Sequence, residues 1–151
     1  MSKNNQLTPA VKTIVVEAPA AAGQTDLESD AVDMANYDGI RFIASMGTIT
    51  AGAVTSLLVE GSPSGTGDWT AIEGAEVTIP DDGDNKVYIV EVYRPGARYV
   101  RAVLERGTEN AVCNGIIAEQ YLPRVYPVPA HSSVGAQVVA VLPPMASSLP
   151  S

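Results

Sequence analysis

The chain has 151 residues, 46% of them hydrophobic, and carries 17 acidic against 9 basic residues for a formal charge of −8. That length fits one domain with a real core, and an aromatic content of 5% leaves Val, Ile, Leu and Ala to build it. The acidity argues against nucleic acid or an anionic membrane as the main partner, because phosphate binding needs clustered Lys and Arg.

Residues 1–10 are polar and predict a flexible N-terminal arm. They lack the apolar run of a secretory signal, and no stretch reaches the roughly 18 apolar residues of a membrane span. Synthesis and folding in a cytoplasm is the expectation. Val11–Ala18 is short and β-branched and reads as a strand, followed by a small-residue break at Pro19–Gly23. Asp26–Met34 is acidic and offers Leu27, Ala31, Val32 and Met34 as inward residues. A turn at Asn36–Gly39 precedes Ile40–Ile49, which alternates with Ile40, Phe42, Ala44 and Met46 on one face.

Ala51-Gly52 turns the chain into Val54–Glu60, with Leu57 and Val59 inward. Gly61–Gly67 reads as a flexible loop, and Trp69–Ile72 and Val77–Ile79 as two short strands around a Gly74 turn. Pro80–Asn85 is a strong hairpin turn. Lys86–Tyr93 is apolar on both faces. After a turn at Arg94-Pro95-Gly96, Arg98–Arg106 alternates with Val100, Ala102 and Leu104 inward. Ala111–Leu122 is the last long strand, with Gly115 a candidate bulge.

About eight strands with turn signals every 8–12 residues predict an all-β chain, a single β-sandwich of jelly-roll or Greek-key type. Residues 11–122 form that domain, with Phe42, Leu57, Val59, Val90, Val92, Val100, Leu104 and Ile117 expected in its core. Residues 123–151 form a Pro-rich C-terminal arm. From Val125 to Ser151 there is no charged residue, yet there are five prolines. Such a segment is too Pro-rich for a helix and too apolar for a well-solvated tail, so it should lie against its own domain or a neighbouring protein.

Charge is unevenly placed along the chain. Asp26 to Glu91 holds 13 acids against Arg41 and Lys86. Val92 to Arg124 holds Arg94, Arg98, Arg101, Arg106 and Arg124 against Glu105, Glu109 and Glu119. The molecule would carry an acidic face and a mildly basic one, unless both are ordinary solvated strand faces.

No catalytic constellation emerges. The only histidine, His131, lies in the arm, and the only cysteine, Cys113, lies in an apolar strand, so neither a nucleophilic triad nor a zinc pattern forms. The acidic run Asp81-Asp82-Gly83-Asp84-Asn85 offers hard oxygens for calcium but lacks EF-hand spacing, and a solvated hairpin turn is the stronger reading. The Gly-containing loops match neither the P-loop nor the dinucleotide fingerprint. Trp69 reads either as a lid over the sandwich end or as a ligand anchor. Arg94, Arg98, Tyr99 and Arg101 read either as a turn with locally paired arginines or as an interface stripe.

Six segments carry a further resemblance: Tyr37–Ile43, a strand beginning near an Asp-Gly turn, the Gly–Trp loop within Gly61–Ile72, the acidic turn Asp81–Val87, the Tyr-Arg-Pro end of Val90–Pro95, Arg98–Val103, and the closing strand Ala111–Tyr121. Between Asp33 and Leu122 the chain thereby resembles head decoration (cement) proteins of tailed bacteriophages. The resemblance implies a non-enzymatic β-sandwich on the outside of an icosahedral capsid. Its partners would be the major capsid protein and its own copies, often as trimers, and no cofactor is implied. The expected interface is Arg94, Arg98, Tyr99 and Arg101 on the body with Tyr126, Val128, Val138, Val139, Val141 and Leu142 on the arm. The alternatives are a ligand- or receptor-binding module of a phage tail or fibre, with Trp69 as its site, and a tail-tube or connector subunit.

Overall fold

The computed structural model describes residues 6–143. A 3-10 turn at Thr8–Ala10 precedes ten strand segments: β1 (Lys12–Glu17), β2 (Ala20–Gly23), β3 (Leu27–Glu28), β4 (Val32–Asp33), β5 (Tyr37–Ile49), β6 (Thr55–Ser62), β7 (Thr70–Ile79), β8 (Val87–Tyr93), β9 (Tyr99–Arg106) and β10 (Ala111–Pro123). They form two five-stranded antiparallel sheets. In the first, β1 and β2 both pair with β10, which pairs with β5 and then β8. In the second, β3 and β4 both pair with β9, which pairs with β6 and then β7. The ten segments thus fill eight positions, and from one position to the next the chain changes sheet except at the β6–β7 hairpin. This nested order is that of a jelly roll, within the predicted β-sandwich class.

The core lies where the two inner faces meet. Ile40, Phe42, Ala44 and Met46 of β5 and Val90 and Val92 of β8 face Leu57 and Val59 of β6 and Val100, Ala102 and Leu104 of β9. Ile117 is the exception among the expected core residues. It points outward, and Ile116 is buried in its place. The cause is one extra residue on β10: Cys113 pairs with Met46, but Ile116 pairs with Ala44. Gly115 absorbs the extra step at φ +125°, and the inward set shifts from Ala111 and Cys113 to Ile116, Ala118 and Gln120. The bulge lies at Gly115 as the sequence predicts, and it reverses the alternation of every residue after it.

Other local departures have equally specific causes. Pro19–Gly23 is not only a break, because Ala20–Gly23 pairs with β10 as β2. Thr70–Ile72 and Val77–Ile79 belong to one strand, β7, in which Gly74 forms part of a bulge instead of a turn, and Trp69 lies just before it. Between β3 and β4 there is also one residue more than on β9 opposite. There the Ser29 hydroxyl accepts a hydrogen bond from the Ala102 N–H at 2.9 Å, standing in for a strand carbonyl. Gly61–Gly67 is not a free loop either. Gly61 and Ser62 end β6, and Ser62 Oγ donates to the Gly67 carbonyl and accepts from the N–H groups of Ser64 and Gly65.

The inward set of β9 continues past Leu104 to Arg106, which is buried. Its guanidinium donates to the carbonyls of Thr25, Ala21 and Ala111 at 2.6–2.8 Å, tying the β2–β3 connection to β10. Buried charge is tolerated when it is hydrogen-bonded, and three N–H bonds of this guanidinium end on oxygen. At the other end of the sandwich the buried Gln120 amide donates to the Asp33 carbonyl at 2.9 Å and links the two sheets.

Candidate interaction surface

β9 carries the Arg-rich run, and its neighbours decide what those arginines do. Arg98 grips Asp33 of β4 through two bonds, Nε–Oδ1 at 2.6 Å and Nη2–Oδ2 at 2.8 Å. These bonds hold the Asp33 carboxyl below its ordinary range, with Ala35 N–H adding to the effect, and they raise Arg98 in turn. Arg101 faces its cross-strand partner Glu60 on the outside of the second sheet, with Nη2–Oε1 at 2.8 Å, and reaches Glu28 at 3.3 Å. Its guanidinium lies 4.4 Å from the centre of the Trp69 ring. Trp69 is therefore not a lid on the sandwich end but a half-buried wall against Arg101, and a cation–π contact satisfies its face. Tyr99 is half-buried beneath the Ser62-held loop, where a Cβ on Gly65 would come within 2.8 Å of its ring.

Arg94 stands apart. It sits at φ +56° in the β8–β9 turn, is exposed, and stacks over its own neighbour Tyr93 at 5.0 Å. The turn separates two open clefts of about 440 and 480 Å³. Asn36, Asp38 and Arg124 line the first, with Arg124 bonded to Asp38 at 2.7 Å. Arg41 pairs with Glu119 at 2.7 Å. The expected separation into an acidic and a basic face does not occur. The fold sets β9 and β10 beside the acidic segments, and four of the arginines are paired across strands or turns.

The acidic turn is engaged as a fastening. Asp81 Oδ2 accepts from Gly52 N–H at 2.6 Å, and the Tyr88 hydroxyl donates to the Gly83 carbonyl at 2.9 Å. Among the described residues, no group of three or more His, Cys, Asp or Glu side chains is placed to hold a metal ion. No helix among them is long and apolar enough to cross a membrane. Cys113 is buried, and burial pushes its thiol up.

The arm divides into two parts. Its root is seated on its own body. Val128 is buried, its N–H donates to the Pro9 carbonyl at 2.8 Å, and Val15 N–H on the edge of β1 donates to Ser133 Oγ at 3.0 Å. His131 supports that contact by accepting from Ser133 N–H at 3.0 Å, within a turn closed by Val134 N–H to the His131 carbonyl. His131 also lines a cleft between β1 and β4, so the root lies at the seam between the two sheets. Tyr126 is exposed beside this root. Beyond Val134 the chain stays uncharged, and residues 135–143 are open to solvent: Val138 is 85% exposed, Val141 73% and Leu142 75%, with Val139 less so. Of the proposed interface residues, Val128 is thus committed to its own domain, and Arg94 and the outer arm are accessible.

One other surface had no counterpart in the sequence reading. On the outer face of the first sheet, Val15, Ile117, Ile43 and Ile89 stand at one register across β1, β10, β5 and β8. The alternation along each strand was visible, but strand order alone brings these four side chains into a row.

No protein-family model matches the chain, and no curated protein matches it. Among solved structures, the chain is similar to the PBSX exported protein XepA, with 14% identity and a TM-score of 0.53. That match covers 93% of this chain and 47% of XepA, so this chain spans about half the length of that protein. A pilus subunit of Bacillus endospore appendages matches at 16% identity and a TM-score of 0.43, over 80% of this chain and 94% of the other. A protein of infectious bursal disease virus, Gx strain, matches at 12% identity and 0.48, over 78% of this chain and 33% of the other. The XepA likeness supports the β-sandwich architecture and speaks to the fold alone.

Proposed function

We propose that this chain is a non-enzymatic structural protein of a bacteriophage virion, a decoration subunit on the outer surface of the major capsid shell. It would act as a homo-oligomer, a trimer in the group it resembles, and reinforce the seams between capsid subunits. The observation that carries this reading is the arm: a charge-free ribbon fastened at its root and presenting Val138, Val141 and Leu142 to solvent. A rigid sandwich with an apolar extension is suited to binding a neighbour by strand addition or apolar contact. Several such contacts around a shell add through multivalency, and binding only the assembled state stabilises it. The net charge of −8 suits a position away from packaged DNA.

The ligand-module alternative is the weaker one, because Trp69 is half-buried and one face of its ring is already taken by Arg101. The test is co-sedimentation with undecorated capsids. Full-length protein is expected to pellet with the particles, and protein lacking residues 135–151 to bind at least about tenfold more weakly, as loss of an apolar anchor does. Equal binding by the two proteins removes the arm from the mechanism, and no binding by either removes the capsid reading.

A further inference from the structure

The outer face of a solvated sheet is ordinarily polar, and most of this one is. The row of Thr13, Glu119, Arg41 and Glu91 crosses the four strands next to the apolar row. Its charges are already engaged: Arg41 pairs with Glu119, and the Tyr121 hydroxyl donates to Glu91. Burial and the Glu91 carboxylate push Tyr121 up to about 12, so it remains a donor at neutral pH. One register away, the row of Val15, Ile117, Ile43 and Ile89 is β-branched throughout. Val15 is 45% exposed, Ile117 40% and Ile89 44%. Val87 extends the apolar surface from the next register, opposite Ser45.

We infer that this row is the docking groove for residues Gln137–Leu142 of a second copy of the same chain. Four strands at their usual spacing of about 4.8 Å make the row about 14 Å long, and an extended six-residue segment spans about 16 Å. Gln137–Leu142 has no charge to desolvate and is rich in Val, so it can cross an apolar row beside a charge-satisfied one without burying an unpaired charge. Its own body offers it little. The turn at His131–Val134 sends the chain back toward its root, where Gln137, Val138 and Val139 border a cleft of about 190 Å³ with Thr8, Pro9, Pro127 and Val128. The apolar row of the same copy is left bare. Each copy carries both a groove and a segment, so head-to-tail exchange closes into a ring when the rotation allows. This inference deepens the proposed function, since it names the surface through which the arm joins copies.

The test uses full-length single-cysteine additions, with Cys113 buried and out of reach. An affinity-tagged Val141→Cys copy is mixed with an untagged Ile89→Cys copy under mild oxidation, and mixed dimers are separated by mass. The expected result is at least about a fivefold excess of the tagged–untagged dimer over the one formed with Val54→Cys, a more exposed site off the row, as raised effective concentration produces. Adding Ile43→Lys to the Ile89→Cys copy should abolish the excess. Ile117→Ser is the milder variant should the lysine disturb folding, judged by an unchanged circular dichroism spectrum. Yield equal to the Val54→Cys control overturns the inference. So does a Val141→Cys/Ile89→Cys double variant that links within one chain, because the segment then latches onto its own body. Linked copies that ignore capsids would preserve the groove and remove the capsid reading; capsid binding without linkage would do the reverse.

Discussion

Arginine side chains in this molecule differ in role although they lie close together in sequence. Arg101 is shielded between Glu60, Glu28 and the Trp69 ring, and Arg106 is buried among three carbonyls. Arg98 remains more than half exposed but holds Asp33 in a two-point grip. The Asp33–Arg98 pair gives a pH dependence with a definite sign. The folded carboxyl is held below the ordinary aspartate value of 3.8, so its contribution is complete above that value and is lost as pH falls through the depressed one. Asp33→Asn is therefore expected to lower the melting temperature slightly at pH 7, the pair being exposed. The gap to the unmodified protein should close in strongly acidic buffer. A gap of constant size from pH 7 to pH 2, followed by thermal melts, would show that the charge on Asp33 contributes nothing.

At the scale of strands, bulges decide which residues face the core. Each of β1, β5 and β10 carries a register shift where it pairs. The one at Gly115 reverses the inward set of β10 and thereby turns Ile117 outward into the apolar row. A side chain at Gly115 is disfavoured twice over. Its φ of +125° lies where L-residues are strained, and a Cβ would approach the Glu17 carbonyl oxygen to 3.3 Å. Gly74, at φ +83°, has the first problem without the second, since nothing lies within 4 Å of its Cβ position. Gly115→Ala is expected to cost about 1–3 kcal/mol in urea unfolding, and Gly74→Ala clearly less. Equal losses would mean that backbone contact at the bulge is unimportant. The glycine and its bulge are legible in the sequence. The extra residue it adds is not, and that is why Ile117 reads as core when the alternation is counted in twos along β10.

For the molecule as a whole, the arm's two parts make separable contributions. Its root completes the seam beside β1, with Val128 buried and two hydrogen bonds to the body. Its outer part leaves its valines largely in solvent. Removing residues 125–151 is expected to destabilise the domain by about 1–3 kcal/mol, the scale of one lost buried apolar side chain. Removing only 135–151 should change stability by less than about 0.5 kcal/mol, as surface changes do. Chemical denaturation of both truncations checks this division. A comparable loss in both would place the outer arm among the domain's own stabilising contacts.

The class of fold and the peculiarity of the arm are both written locally along the chain. Alternation in Ile40–Met46 and Val100–Leu104 is a local property, written in consecutive side chains, and so is the absence of charge after Arg124. Everything that depends on which strands are neighbours comes from the folded arrangement instead. The jelly-roll order sets β9 against acidic β3, β4 and β6, which turns an apparent basic face into paired charges. The same order lines up Val15, Ile117, Ile43 and Ile89, residues from four separate strands, into one apolar row. Contacts between residues tens of positions apart arise from register, and register is fixed by bulges and sheet order that no short window of sequence contains.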